Sequence, residues 1–133
     1  MKKYLFNAML LLSLNTFAAG SGSLSGTYEC KGSEVGTHEA FTCQMTIKKT
    51  GETYASTATC SDGNSYRGTG IYDKHLHQLS TGFINPKKSE ETGVSISTIK
   101  SSKELISVWT YIDKTSIART TCYKTPISLK SKS

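Results

Sequence analysis

Cys30, Cys43, Cys60 and Cys122 are the residues of this 133-residue chain best equipped for chemistry. Thiols can pair as disulfides, hold zinc or attack a substrate, and their spacing separates these roles. The four are separated by 12, 16 and 61 residues, and no C-x-x-C occurs. Zinc sites and redox pairs usually contain one such close pair, so structural bridging is the expected role. A second candidate is Asp73-Lys74-His75-Leu76-His77. On an extended strand residues i, i+2 and i+4 share a face, which would set a carboxylate beside the imidazoles of His75 and His77 as a partial shell for zinc or copper. Metal binding by this pair is the less favoured reading, because the sequence names no further ligand beyond a conceivable His38 and two histidines on a solvated face need no metal. No G-x-S-x-G elbow, H-E-x-x-H helix or phosphate-cradling glycine loop is present. Carboxylates such as Glu29, Glu39 and Asp62 stand isolated in the sequence. We therefore expect no enzyme and no cofactor.

The segments around these residues set the compartment. Lys2 and Lys3, the apolar run Tyr4 to Leu14 and the small residues Ala18, Ala19 and Gly20 have the layout of a cleavable signal peptide over residues 1–19. The run is shorter than the roughly 20 apolar residues that a spanning helix needs. No cysteine follows it to carry a lipid. The expectation is an exported chain without a membrane anchor, in the periplasm or outside the cell, where thiols pair. Charge is unremarkable once located. The formal net charge is +6, but Lys2 and Lys3 belong to the leader, which leaves 14 of the 16 basic residues against 10 acidic ones. Lys124, Lys130 and Lys132 lie at the C-terminal end, so the body is nearly neutral. A nucleic-acid surface would cluster basic residues with aromatics among them, and no such cluster exists. One domain over 20–124 followed by a basic tail over 125–133 is the expected organisation.

Within that domain the dominant period is two. Phe41, Cys43, Met45 and Ile47 alternate with Thr42, Gln44, Thr46 and Lys48, the pattern of a half-buried strand. Further strands are expected at Gly26–Lys31, Thr53–Cys60, Tyr66–Tyr72, His75–Ile84, Gly93–Lys100, Leu105–Ile112 and Ile117–Tyr123. Turn residues separate them, with a polar loop over Lys87–Thr92. No capped helical period appears. Eight short strands without crossover helices predict an all-β, antiparallel up-and-down barrel, since closure leaves no unpaired edge. A β-sandwich is the alternative. If Cys43 faces Cys60 across the 50–53 turn, Cys30 and Cys122 remain on the first and last strands, which are neighbours only in a closed sheet. A two-residue turn at Thr50-Gly51 would instead oppose Cys43 to Ala58, so three connectivities stay open.

The aromatics Tyr28, Phe41, Tyr54, Tyr66, Tyr72, Phe83, Trp109, Tyr111 and Tyr123 fall one or two to a strand, so a barrel would gather several inside. They either fill the core or surround one small ligand. Gly68 and Gly70, on one strand face between Tyr66 and Tyr72, would admit a neighbouring ring such as Trp109 or a ligand. The order Gly26-Thr27-Tyr28, a hairpin, Tyr66 to Asp73 and a late Ser107-Val108-Trp109-Thr110 resembles the calycins, chiefly avidin-like barrels and more loosely lipocalins. Tyr28 stands where the lipocalin G-x-W motif has its tryptophan. The segments Gly26 to Gly32 and Ile106 to Tyr111 are also similar to those of small exported bacterial proteins, some labelled adhesin-type or fibronectin-binding. The resemblance implies a binding module. One expectation is a small apolar ligand near Tyr28, Tyr66 and Trp109. The other is an extracellular protein partner contacted through loops at Glu34–Ala40 and Pro86–Thr92.

Overall fold

The computed structural model describes residues 24–37 and 39–126, so the expected leader over 1–19, His38 and most of the basic tail lie outside the described residues. Eight strands follow one another: β1 (Gly26–Ser33), β2 (Ala40–Thr50), β3 (Thr53–Cys60), β4 (Ser65–Asp73), β5 (Gln78–Asn85), β6 (Lys88–Ser101), β7 (Glu104–Tyr111) and β8 (Ala118–Lys124). Each pairs antiparallel with the next, and β8 returns to pair with β1, so the sheet is a closed up-and-down barrel and not a sandwich. Closure satisfies the backbone donors and acceptors that an open sheet would leave at two edges. No helix among the described residues is long and apolar enough to cross a membrane.

The registers put the four cysteines in one row. Cys122 opposes Cys30 between β8 and β1, Cys30 opposes Cys43 between β1 and β2, and Cys43 opposes Cys60 between β2 and β3. Nearest-neighbour pairing that leaves no thiol over has one solution in such a row, and it is the one formed: Cys30–Cys122 and Cys43–Cys60. Joining Cys30 to Cys43 would strand Cys60 and Cys122 three strands apart, roughly 14 Å at the usual inter-strand spacing. The hairpin turn is Gly51-Glu52, with Thr50 paired to Thr53, which yields the register that brings Cys43 to Cys60.

Two strand boundaries differ from the sequence expectation. His75 and His77 belong to the turn 74–77 and not to β5, because the Asp73 carboxylate accepts hydrogen bonds from the backbone N–H groups of His75 (2.9 Å) and Leu76 (3.2 Å). That Asx-type turn competes with strand pairing, and His77 takes a positive φ of 55°. The polar stretch Lys87–Thr92 is mostly strand. The β5–β6 hairpin turns through Pro86-Lys87, with Asn85 opposite Lys88, and tertiary pairing overrides the low strand propensity of Lys-Ser-Glu-Glu.

One end of the barrel is plugged. Tyr28, Ile47, Tyr54, Leu79 and Leu105 are buried there, with Leu24 from the approach to β1. Burial of each large aliphatic side chain of this set contributes about 1.5–3 kcal/mol. The Tyr28 hydroxyl donates to the Leu24 carbonyl (2.8 Å), and Tyr54 meets Tyr72 edge-on at 6.2 Å. The two disulfides close loops of very different length, with sequence separations of 92 and 17. Chain entropy predicts that replacing Cys30 and Cys122 by alanine costs about 1.5 kcal/mol more in denaturant unfolding than replacing Cys43 and Cys60. Equal or reversed costs would show that loop closure does not govern their stabilisation.

Candidate functional site

Strand alternation sends small residues into the middle of the barrel: Ser56 and Ala58 from β3, Thr81 from β5, Ser95 and Ser97 from β6, Ser107 from β7 and Thr120 from β8. An eight-stranded barrel is just wide enough for its own side chains to fill when they are large. Here they are not, and a cavity of about 140 Å³ remains. Its size is comparable to an apolar cavity of roughly 150 Å³ that accepts a benzene ring. The plug residues Tyr28, Ile47, Tyr54, Leu79 and Leu105 lie outside its lining, so the cavity stands above them and reaches the opposite rim at Glu34 and Asp62.

Its walls differ in chemistry. The two disulfides, Met45 and Ala58 form an apolar side on β8, β1, β2 and β3. The hydroxyl side carries its own hydrogen bonds, with Ser97 and Ser107 at 2.6 Å and the Trp109 indole N–H donating to Thr120 Oγ1 at 2.9 Å. Above them lies an edge-to-face aromatic belt. Trp109 meets Phe41 at 6.1 Å, Phe83 at 6.1 Å and Tyr111 at 5.3 Å, and Phe83 meets Tyr66 at 5.9 Å. Such pairs contribute roughly 0.5–1.5 kcal/mol each beyond area burial.

Glycine makes the belt possible at one point. Gly93 on β6 sits between Phe83 on β5 and Tyr111 on β7. A Cβ there would collide with the Thr110 carbonyl oxygen and come within 2.7 Å of Phe83 Cζ, so the bare backbone lets the two rings meet at 6.2 Å. Gly68 and Gly70 do something else. Their neighbours are Thr81 and Leu79, with Thr81 Oγ1 only 2.6 Å from a Cβ at Gly70, and neither faces Trp109. They admit close packing of β5 and leave no ligand space.

The rim is acidic. The Tyr66 hydroxyl donates to Glu91 Oε1 at 2.8 Å, and Asn85 Nδ2 donates to the same oxygen at 2.9 Å. Tyr66 and Tyr111 hydroxyls are 3.4 Å apart; with the Tyr66 proton on Glu91, Tyr111 is the donor between them. Burial raises the Tyr66 phenol well above its usual value, and its bonds to Tyr111 and Glu91 add to this. Burial raises the Tyr111 phenol to about 12. Burial also raises the Glu34 carboxyl, and the charges of Asp62, Glu91 and Glu39 raise it further against the opposing Lys88.

Of the residues singled out in the sequence, Tyr66 and Trp109 line the cavity and share contact with Phe83. Tyr28 does not; it is buried in the plug because its position at the start of β1 falls at the closed end. His75 and His77 are exposed on a turn at that same end, away from the cavity, and the shared strand face that would have made them co-ligands does not exist. Among the described residues no three His, Cys, Asp or Glu side chains could hold a metal ion. Glu34 and Glu91 carried no sequence signal, since their approach depends on loops and strands distant in the chain.

No protein-family model and no curated protein matches the chain. Solved structures do. A redesigned β-barrel matches with TM-score 0.68 at 18% identity, covering 80% of this chain and 95% of its own. A redesigned β-barrel bound to DFHBI matches with TM-score 0.61 at 18% identity, covering 77% and 99%. A de novo designed fluorescence-activating β-barrel matches with TM-score 0.61 at 10% identity, covering 80% and 97%. At these identities the likeness is one of fold, and it agrees with the eight-stranded up-and-down barrel expected from the strand pattern.

Raised phenol pKa values predict an alkaline instability. Tyr28, raised by burial, and Tyr111 both reach about 12 in the folded protein, whereas the unfolded chain releases these protons near 10. Their contribution is therefore complete below pH 10 and is lost as pH rises through 10 to 12. Absorbance titration of phenolate should show these two groups ionising only above the exposed tyrosines, and denaturant stability should begin to fall near pH 10. A stability that is flat to pH 12 would contradict this.

Proposed function

We propose that this chain is an exported, non-enzymatic binding module that holds one small apolar ligand inside its barrel. The observation that carries the reading is the unfilled space of about 140 Å³ between an apolar plug and an aromatic belt, where a well-packed structural barrel would place side chains. A preformed, mostly apolar cavity with few polar groups is the general form of a small-molecule site. Two further features support it. The disulfides suit an oxidising compartment, in keeping with the leader-like first 19 residues. Barrels of the same fold include one bound to DFHBI. Of the hydroxyls lining the cavity, Ser97 pairs with Ser107, Thr120 accepts from the indole N–H and Tyr66 donates to Glu91.

Trp109 is the single tryptophan and reports directly on the cavity. Toluene and DFHBI, added as probes, should shift its emission and release heat in calorimetry. At a concentration 100-fold above Kd, either should stabilise the fold by about 2.7 kcal/mol. Ala58→Phe, which fills the cavity from β3, should abolish both signals, while Ile96→Ser on the outer face of β6 should leave them intact. Binding that survives Ala58→Phe would place the ligand elsewhere.

A further inference from the structure

The proposed ligand site has a polarity that its apolar lining does not account for. The donors of the belt and rim that have assigned partners are spent within the protein: the Trp109 N–H on Thr120, the Tyr66 O–H and an Asn85 N–H on Glu91. What the rim presents outward is negative charge. Glu34 and Asp62 line the cavity, and Glu91 is held at its edge by Tyr66. The Asp62 carboxylate is fixed in place by Asn64, whose backbone N–H and side-chain amide both donate to it at 2.9 Å. Burial raises the Glu34 carboxyl and the charges of Asp62 and Glu91 add to it, yet among the described residues no three acids converge on a point as metal ligands do. Against them stand Arg67, also in the lining, and Lys88. The body of the chain is nearly neutral, so the acidic rim is a local concentration of charge. Directly beneath it lie Trp109, Phe83, Tyr66 and Tyr111, whose ring faces attract an organic cation through their quadrupoles.

We propose that the cavity takes a small organic cation, with an apolar, ring-sized body against Trp109, Phe83 and Phe41 and an ammonium group among Glu34, Asp62 and Glu91. This rests on the binding reading above and narrows it to a ligand class. The body would replace the missing core, and the charge would remain at the rim, where partial hydration lowers the desolvation penalty that full burial would impose.

A matched set of probes tests it: 2-phenylethylammonium, 2-phenylethanol and phenylacetate, titrated at pH 7 and low salt with calorimetry and Trp109 emission as readouts. The ammonium should bind at least tenfold tighter than the alcohol, and phenylacetate weakest. Raising the ionic strength should shrink the ammonium preference. In the Glu34→Gln, Asp62→Asn double variant the ratio of ammonium to alcohol affinity should fall toward one. Removing the same charge at the plugged end, by Glu52→Gln with Glu104→Gln, should leave that ratio unchanged. Circular dichroism and melting curves keep misfolded variants out of the comparison. Equal binding of ammonium and alcohol, tightest binding of phenylacetate, or an unchanged ratio in the Glu34, Asp62 variant would each overturn the cation assignment while leaving the binding cavity in place. No response to any of the three probes, nor to toluene, would overturn the cavity reading and this inference with it.

Discussion

Backbone hydrogen bonds between β1 and β8 join the two ends of the sheet, and the Cys30–Cys122 bridge crosses the same junction. The barrel exists only while that contact holds. Without it β1 and β8 would be exposed edges, and the inward faces of all eight strands would lose the enclosed volume they share. The cysteine row extends this closure, because Cys43–Cys60 lies in register beside it and ties β2 to β3. Four adjacent strands are thus linked covalently in pairs, and the junction between the pairs is the β1–β2 hydrogen-bonded ladder.

That covalent half has a second consequence. A disulfide is compact, so where a barrel would ordinarily send Leu or Phe inward at mid-height, this one presents sulfur. Much of the remaining wall is built from Ser and Thr, which are also small; Ser97 bonds to Ser107, and Thr120 accepts from the Trp109 indole. Neither wall reaches across, and the interior stays open between the plug and the belt. The same composition explains why the hollow does not collapse. Backbone ladders set the barrel's diameter, and small side chains cannot draw the strands inward. The belt residues Tyr66, Phe83, Trp109 and Tyr111 sit on β4, β5 and β7, strands that no disulfide ties, and their own edge-to-face contacts hold them in place.

Much of this was legible in the chain. The alternation through Phe41 to Lys48 marks β2 and its inward face, because a strand buried on one side has no other economical pattern. The even cysteine count and the leader-like pattern of the first 19 residues pointed to bridging, and the short turns to closure. Legibility failed where local and tertiary preferences competed. His75 and His77 alternate as strand residues do, yet the Asp73 side chain captures their backbone into a turn. Lys88 to Thr92 reads as loop, yet pairing within the β5–β6 hairpin makes strand of it. Tyr28 and Trp109 look equivalent as aromatic strand residues, and only their heights in the barrel separate plug from belt.

By itself the sequence determined the all-β class, the strand count, the inward face of β2 and the bridging role of the cysteines, all consequences of periodicity, turn chemistry and spacing that act over a few residues. The tertiary structure decided which inward residues meet. Height along the barrel axis depends on the registers of eight successive pairings, each of which shifts the next. The cavity, the belt across Gly93 and the convergence of Glu34, Asp62 and Glu91 at one rim are products of those accumulated registers, and no local pattern encodes them.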